Sequence, residues 1–252
     1  MPPSHTFPRP AAAPPRAALR PFVDLSRLLL PVACPCGERD VRWCAACARR
    51  FDGPPVRVEH GAGRLDRVDG APPLPVWALT EYSGPVRDVV VHWKDRGRAD
   101  LDRLLAGALL EAARHLAPLL RAPVAVVPVP STRQARRRRG RDPVRELATS
   151  VVRGLRDGGT PARRSGVLRR RATRDQVGLG SRARGQNLSS AVRSTRRLDG
   201  CACVVVDDVV TSGATLAASE HALEAAGADV LGAIVLAATP PPDTRRGRGP
   251  AY

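Results

Sequence analysis

The stretch VVVDDVVTSGAT, residues 204–215, decides the fold, because each part of it has a different structural role. Its apolar start predicts a buried strand, the carboxylates Asp207 and Asp208 follow, and a short hydroxyl- and glycine-rich loop leads into a helix. Such a loop presents backbone N–H groups and hydroxyls at the positive end of the helix dipole, which suits a phosphate. Adjacent carboxylates at a strand's carboxyl edge suit hydroxyl donors such as a ribose diol. The alternative is a capped turn, with both carboxylates merely at a strand end.

Strand-like and helix-like stretches alternate on both sides of this motif. Buried strands are predicted over residues 76–82, 124–130, 201–210 and 229–238, and helices over residues 100–120, 142–155 and 215–227. This alternation predicts an α/β fold, in which a mostly parallel sheet is flanked by helices on both faces.

Composition divides the chain into five segments. We predict a disordered Pro/Ala/Arg tail over 1–22, a four-cysteine zinc-finger-like module over 23–52, a Gly/Pro-rich linker over 53–75, the α/β domain over 76–239, and a second disordered tail over 240–252. The module and the domain are expected to have separate cores.

The overall composition narrows the protein class. The chain has 252 residues, 43% of them hydrophobic, which excludes a uniformly disordered protein. No apolar run approaches the ~20 residues that cross a bilayer, and Pro and Arg replace the apolar core of an export signal, so we expect a cytoplasmic protein without a membrane span. The net charge of +17 favours polyanionic partners, although the strong bias of Arg over Lys is also typical of a GC-rich coding sequence.

Four of the six cysteines lie close together in sequence, at Cys34, Cys36, Cys44 and Cys47. Four thiolates at this spacing suit a tetrahedral Zn²⁺ site in a zinc-ribbon-like finger. Because the first pair is one residue shorter than the usual knuckle, a decayed site and a site completed by His60 remain alternatives. Cys201 and Cys203 alternate in an apolar strand, where cysteine acts as a small hydrophobic residue, and a ligand role is the alternative.

The central motif resembles the signature of the type I phosphoribosyltransferases, which is an apolar strand, two acidic residues, two mostly apolar residues and T-[ST]-G-x-T. The matching residues here are Asp207, Asp208, Val209, Val210, Thr211, Ser212, Gly213, Ala214 and Thr215. The resemblance implies the type I phosphoribosyltransferase fold. It also implies that Asp207 and Asp208 bind the ribose hydroxyls of phosphoribosyl pyrophosphate (PRPP), that residues 211–215 hold its 5′-phosphate, and that Mg²⁺ accompanies PRPP.

As a whole, the chain resembles the ComF (competence protein F) group, in which a four-cysteine finger precedes a phosphoribosyltransferase domain. Matching segments run in the expected order over about residues 23–238. The first are a leucine-rich segment before Cys34, the finger, and residues 82–87, 94–97 and 127–130. An Arg-rich stretch to Gly140 follows, and then Arg171, Thr173, Gln176, Gly178 and Leu179.

Two departures limit what this resemblance implies. After the Arg-rich stretch the group continues G-F-N-Q, whereas this chain has Gly140, Arg141, Asp142 and Pro143, so the pyrophosphate-loop contacts of those residues are not expected. Thr211 stands where the oxopurine salvage enzymes carry Asp, so salvage of hypoxanthine or guanine is not expected either.

The pyrophosphate side of the site is predicted after the strand that ends near Pro130. Ser131, Thr132 and Arg133 follow that strand, and Lys94, the one lysine of the chain, suits a substrate phosphate or is there by chance. The five arginines of residues 136–141 suit a pyrophosphate clamp, a nucleic-acid backbone or simply solvent. His92 and Trp93 lie near a base pocket or are packing residues.

Two functions from different classes follow. The first is a glycosyltransferase of nucleoside metabolism, in which a nitrogen nucleophile displaces pyrophosphate from PRPP, with no general base identifiable. The second, implied by the ComF resemblance, is a non-catalytic PRPP-binding factor in DNA uptake that contacts DNA or a helicase-like partner. Turnover of PRPP distinguishes the two.

Overall fold

The computed structural model of the protein describes residues 32–67, 69–120, 123–170 and 192–241. The helices are α1 (Ala45–Ala48), α2 (Gly84–Asp95), α3 (Asp102–Leu116), α4 (Arg133–Arg139), α5 (Pro143–Asp157) and α6 (Ala214–Glu224). The strands are β1 (Val56–Arg57), β2 (Val76–Glu81), β3 (Val124–Pro128), β4 (Ala162–Arg164), β5 (Leu168–Arg170), β6 (Val192–Ser194), β7 (Ala202–Val210) and β8 (Asp229–Ala238). Across these residues, no helix combines the length and apolarity that a bilayer span requires.

The main sheet has six strands in the order β1-β2-β8-β7-β3-β4. Every neighbouring pair from β2 to β4 is parallel, and only the short edge strand β1 pairs antiparallel, with β2. The central strands β7, β8 and β3 are almost entirely buried, as expected for parallel strands covered on both faces. The structure therefore confirms the predicted α/β class with a mostly parallel sheet.

Two hydrophobic clusters cover the two faces of this sheet. On one face, Val204 and Val206 of β7 pack with the buried sides of α2, α3 and α5. On the other face, Val205 packs with α6 and with the small antiparallel sheet formed by β5 and β6. Because side chains alternate along a strand, neighbouring valines of β7 reach opposite clusters. Helices thus flank both faces, and the carboxyl ends of the parallel strands share one edge.

The segment predicted as a linker over 53–75 contributes to the sheet and the core. It supplies β1, a 3₁₀ helix over Glu59–Gly61, and the buried side chains of Ala62, Leu65 and Leu74. The difference from the prediction has a physical reason, since Leu65 and Leu74 cover apolar surface of the α6 face that the Gly/Pro-rich composition of the segment does not reveal.

The cysteine module also packs directly on the domain. Cys34, Cys47 and Phe51 belong to the same hydrophobic cluster as Val89 of α2. Arg98, just before α3, donates hydrogen bonds to the carbonyl oxygens of Ala33 and Arg42 at 2.8 and 3.0 Å. The expected separate cores are thus one continuous core. The motif residues Arg171, Thr173, Gln176, Gly178 and Leu179, the tail over 1–22 and most of the tail over 240–252 lie outside the described residues.

Candidate functional site

The loop between β7 and α6, residues 211–213, has the form that the sequence predicts. Gly213 caps α6 with a left-handed φ of +81°, and a Cβ at this position would lie 2.7 Å from Cγ of Leu65. Both the backbone angle and the close contact require glycine. The first N–H groups of α6 have no intrahelical partner and lie beside the exposed hydroxyls of Thr211 and Ser212. The loop is therefore suited to an anion.

Asp207 and Asp208 lie in β7, three and two residues before the strand ends. They are 9% and 2% exposed. Oδ1 of Asp207 accepts a hydrogen bond from the backbone N–H of Asp208, and Oδ1 of Asp208 accepts one from Val209, both at 2.8 Å. Burial and the neighbouring Asp208 carboxylate raise the pKa of Asp207 to about 7. The strand thus brings two buried acidic groups to the edge of the sheet.

Lys94 approaches the same point from the last turn of α2. Its Nζ lies 2.5 Å from Oδ2 of Asp208, and the lysine side chain is about one-third exposed. Burial by itself disfavours the ammonium ion, but the carboxylates of Asp208 and Asp207 outweigh it and raise the pKa of Lys94. Lys94 therefore remains charged and partly neutralises the acidic pair.

The opposite wall follows β3. Thr132 caps α4, since its Oγ1 accepts a hydrogen bond from the backbone N–H of Ala135 at 3.0 Å, and Ser131 donates to Asp142 at 3.2 Å. At the end of α4, Arg139 is 14% exposed and donates from Nη2 to Asp95 at 2.8 Å. Its Nε–H is buried and has no hydrogen-bond partner among the described residues. An unpaired buried donor of this kind is suited to a bound anion.

A cavity of about 440 Å³ joins these elements. The predicted residues that line it are Lys94, Ser131, Thr132, Asp207, Asp208, Val209, Thr211 and Thr215. Val210, Ser212, Gly213 and Ala214 do not line it, and the side chain of Arg133, at the start of α4, lies outside the description. Three segments far apart in sequence, around Lys94, over residues 131–139 and over residues 207–215, therefore meet at one polar cavity.

The Arg-rich stretch over 136–141 divides into residues with different roles. Only Arg139 lines the cavity. Arg141 turns away, pairs with Asp102, donates to the Trp93 carbonyl oxygen and stacks 5.7 Å from the Trp93 ring centroid. Trp93 is fully buried in the core, and neither Trp93 nor His92 lines the cavity.

Residues 137–250 match the family model of the phosphoribosyl transferase domain. The matched residues include Asp207, Asp208 and the loop over 211–213. The match therefore agrees with the resemblance of residues 207–215 to the phosphoribosyltransferase signature. No curated protein has significant sequence similarity to the chain.

Solved structures of similar fold include hypoxanthine phosphoribosyltransferases. One is a glutamine mutant from a study of an invariant aspartic acid in these enzymes. Its sequence is 16% identical to this chain, and the TM-score is 0.38, with 60% of this chain and 73% of that chain covered. The Trypanosoma cruzi enzyme with its product IMP has 17% identity and a TM-score of 0.36, over 60% of this chain and 72% of that one. The mostly parallel sheet and the family-model match over residues 137–250 together support a phosphoribosyltransferase-like fold.

The cavity extends beyond the residues of the family match. Lys94, Ser131 and Thr132 precede residue 137 yet line the same cavity. Sequence reasoning did not assign Tyr82, at the end of β2, or Arg170, at the end of β5, both of which also line it. Tyr82 had a signal in the sequence, since it begins the matching segment 82–87, whereas the position of Arg170 at the end of a strand as short as β5 is a weak signal.

The four-cysteine cluster lies apart from this cavity. The Sγ atoms of Cys34, Cys36, Cys44 and Cys47 all lie within 4.8 Å of one another, and those of Cys36 and Cys44 are 3.6 Å apart. A tetrahedral Zn²⁺ with Zn–S bonds of about 2.3 Å places its sulfur ligands about 3.8 Å apart, so the spacing fits. His60 is not part of the cluster, and Cys203 is buried in the β7 core as a small hydrophobic residue.

Proposed function

We propose that the protein transfers the phosphoribosyl group of PRPP to a nitrogen acceptor and releases pyrophosphate. One observation carries this proposal: a single cavity is lined by a helix N-terminal loop, two buried carboxylates and three cationic side chains, those of Lys94, Arg139 and Arg170. PRPP has a 5′-phosphate, a ribose diol and a diphosphate, and each of these groups has a complementary partner in the cavity. The domain match over residues 137–250 supports the same substrate.

Each part of the cavity has a proposed task. Residues 211–215 receive the 5′-phosphate at the start of α6, and the carboxylates of Asp207 and Asp208 accept hydrogen bonds from the ribose hydroxyls. Ser131, Thr132, Lys94 and Arg139 lie around the remaining wall and receive the diphosphate. Charge-assisted hydrogen bonds from Lys and Arg are the strongest contacts available for such a group.

The acidic lining also fits Mg²⁺. Oδ2 of Asp208 is buried and accepts no hydrogen bond of regular geometry within the described residues, although Lys94 forms an ion pair with it. Carboxylate oxygens and substrate phosphates are the ligands that Mg²⁺ prefers, so Asp207 and Asp208 would hold the ion together with PRPP. When bound, Mg²⁺ neutralises charge on the diphosphate.

The proposed reaction forms a C–N bond and breaks the C1–O bond, and an acceptor that carries an N–H group releases its proton to the departing pyrophosphate or to water. The lone pair of the acceptor nitrogen forms a bond to C1 of the ribose, and the bonding electrons of the C1–O bond leave with pyrophosphate through an oxocarbenium-like state. Lys94 and Arg139 stabilise the negative charge that develops on the leaving group. Thr211 offers no carboxylate for a purine-ring proton, so the acceptor is proposed to be a nitrogen nucleophile other than an oxopurine.

The test is PRPP binding followed by turnover. Calorimetry of the full chain with and without Mg²⁺ measures affinity, and pyrophosphate release is then assayed with a panel of amines and bases. We expect PRPP to bind with micromolar or tighter affinity. Pyrophosphate should be released only when one particular amine or base of the panel is present. Absence of PRPP binding, with Mg²⁺ present and the fold intact by circular dichroism, would reject the proposal.

A second candidate is a non-catalytic PRPP-binding factor of the ComF group that acts in DNA uptake. The finger ahead of the domain and its exposed arginines, Arg39, Arg42, Arg49 and Arg50, support this candidate. Binding of single-stranded DNA should then weaken steeply as salt rises, with PRPP binding but no pyrophosphate release. A fluorescence titration with single-stranded DNA at two salt concentrations separates the two candidates. The second candidate predicts that Arg49→Ala and Arg50→Ala together weaken DNA binding, whereas the exposed control Arg145→Ala does not.

A further inference from the structure

We propose that residues 62–67, called the buttress below, hold the phosphate loop in its binding conformation and that Leu65 is the positioning residue for the 5′-phosphate. This inference rests on the proposed function. It concerns a segment that lies outside the domain match and ahead of the first parallel strand, β2.

Leu65 packs directly against the glycine of the loop. The Leu65 side chain is 2% exposed, and its Cγ and Cδ2 lie 2.7 and 3.3 Å from the position that a Cβ on Gly213 would occupy. The methyl carbon of Ala62 lies 3.2 Å from the same position. The buttress therefore fills the space on one side of Gly213 and supports the backbone at the point where φ is left-handed.

A main-chain hydrogen bond joins the buttress to the loop a second time. The backbone N–H of Arg64 donates to the carbonyl oxygen of Ser212 at 3.0 Å. With that carbonyl engaged by the buttress, the orientation of the peptide group between Ser212 and Gly213 is fixed. The N–H of this peptide group belongs to Gly213 and lies in the turn that leads into α6.

The buttress is anchored at both of its ends. On one side, Arg67 donates to Glu220 at 3.3 Å and to Glu224 at 2.9 Å, two acidic residues on α6. On the other side, the backbone N–H of Ala62 donates to the carbonyl oxygen of Glu59 at 2.9 Å. The buried carboxylate of Glu59 in turn accepts hydrogen bonds from Arg57 and from the backbone N–H of Val76, the first residue of β2. The segment is therefore connected to the helix that begins at the loop and to the sheet beneath it.

These contacts preorganise the loop for an anion. A loop of small residues loses conformational entropy when it closes around a ligand, and a loop already held in place loses less. Removing the Leu65 side chain should let the loop relax, so the entropy of ordering it would be paid when PRPP binds. The expected signature is a weaker affinity and a higher KM for PRPP with little change in kcat.

The test compares Leu65→Ala with Leu74→Ala. Both leucines lie in the same hydrophobic cluster and are 2% exposed, but Leu74 is not among the nearest neighbours of Gly213. We expect Leu65→Ala to weaken PRPP binding about tenfold, or ~1.4 kcal/mol. Leu74→Ala should change it less than about twofold at a similar loss of stability. Leu65→Met should restore most of the affinity, because it keeps the volume.

A double-mutant cycle with Gly213→Ala tests the contact itself. The new methyl group would clash with Leu65, so the loss of PRPP affinity caused by Gly213→Ala should be at least about threefold smaller when residue 65 is already alanine. Equal effects of Leu65→Ala and Leu74→Ala, or an additive cycle, would overturn the proposal.

Hydrogen exchange separates this failure from a failure of the proposed function. Without any ligand, Leu65→Ala should speed exchange at the amides of Arg64 and Ala217, whose acceptors are the carbonyl oxygens of Ser212 and Gly213. If the parent chain binds no PRPP, the proposed function fails and the positioning role fails with it. If PRPP binds and exchange at these amides is unchanged, only the buttress is rejected.

Discussion

The ammonium nitrogen of Lys94 lies 2.5 Å from Oδ2 of Asp208, although the two residues come from distant parts of the chain. Lys94 lies in the last turn of α2, and Asp208 lies near the carboxyl end of β7. The carboxylate is 2% exposed, so loss of Lys94 would leave a buried acidic group without its ion-pair partner, which destabilises a fold more than the same loss at the surface. The pair links the residues matched to the transferase domain with a helix that precedes them.

Lys94→Met should remove both the ion pair and a proposed diphosphate contact. Since Lys94 is partly exposed, the expected stability loss is between the values for surface and buried pairs, about 1 to 3 kcal/mol. PRPP affinity should fall more than about tenfold, because a charge-assisted contact contributes ~1.5 to 3 kcal/mol. Arg87→Met on the exposed face of α2 is the matched control and should change neither quantity. Urea unfolding and calorimetry measure both effects.

Replacing Asp207 and Asp208 together by Asn should abolish detectable PRPP binding. An amide is a weaker acceptor for the ribose hydroxyls and no longer attracts Mg²⁺, so the loss should exceed about tenfold. Asp199→Asn is the control, since Asp199 is exposed and pairs with Arg197 away from the cavity. Calorimetry would contradict the site if the double variant bound PRPP as the parent does.

The raised pKa of Asp207 predicts a specific dependence of stability on pH. Its ordinary value is 3.8 and burial beside Asp208 raises it to about 7, so the folded state holds a proton that the unfolded state has already released. Stability should therefore fall as pH rises from about 4 to about 7. Asp207→Asn should flatten this slope in magnesium-free buffer. Asp199→Asn should leave it unchanged, because Arg197 lowers the pKa of Asp199 below this range.

Gly154→Ala should destabilise the domain through the packing of α5 on α3. A Cβ on Gly154 would lie 2.1 Å from the carbonyl oxygen of Leu110, which is part of the backbone and does not move easily. Overpacking of this kind costs about 1 to 3 kcal/mol or more. Gly107→Ala is the contrasting variant, since nothing lies within 4 Å of its Cβ position and alanine favours a helix. Thermal unfolding should show a lower Tm for the first and an equal or higher Tm for the second.

Purified protein should contain about one zinc ion per chain, bound by Cys34, Cys36, Cys44 and Cys47. Cys44→Ser should lower the zinc content to near zero, whereas Cys201→Ser, outside the cluster, should leave it unchanged. Because Cys34 and Cys47 share a core with α2, removal of the metal should also speed hydrogen exchange at Val89 and Val90. Elemental analysis near zero under reducing conditions would contradict the zinc site.

Local patterns were sufficient to predict the main elements. The four parallel strands that the sequence analysis places at residues 76–82, 124–130, 201–210 and 229–238 all occur, because buried strands in a parallel sheet are continuous apolar runs. The loop that leads into α6 and the cysteine cluster were also evident, since a hydroxyl- and glycine-rich helix start and closely spaced cysteines are short-range signals. Such features depend on neighbours along the chain.

Tertiary structure alone decided which distant side chains meet. The sequence offers five arginines over residues 136–141, and only the pitch of α4 and its position at the sheet edge direct Arg139 into the cavity and Arg141 toward Trp93. Likewise, no local pattern places Lys94 beside Asp208 or Leu65 against Gly213. The sequence by itself therefore determined the strands, the loop and the cysteine pairs, because these depend on local spacing. The ion pair between Lys94 and Asp208 and the contact of the buttress with Gly213 depend on how helices and a Gly/Pro-rich segment pack across the sheet. That packing is a long-range property of the folded chain.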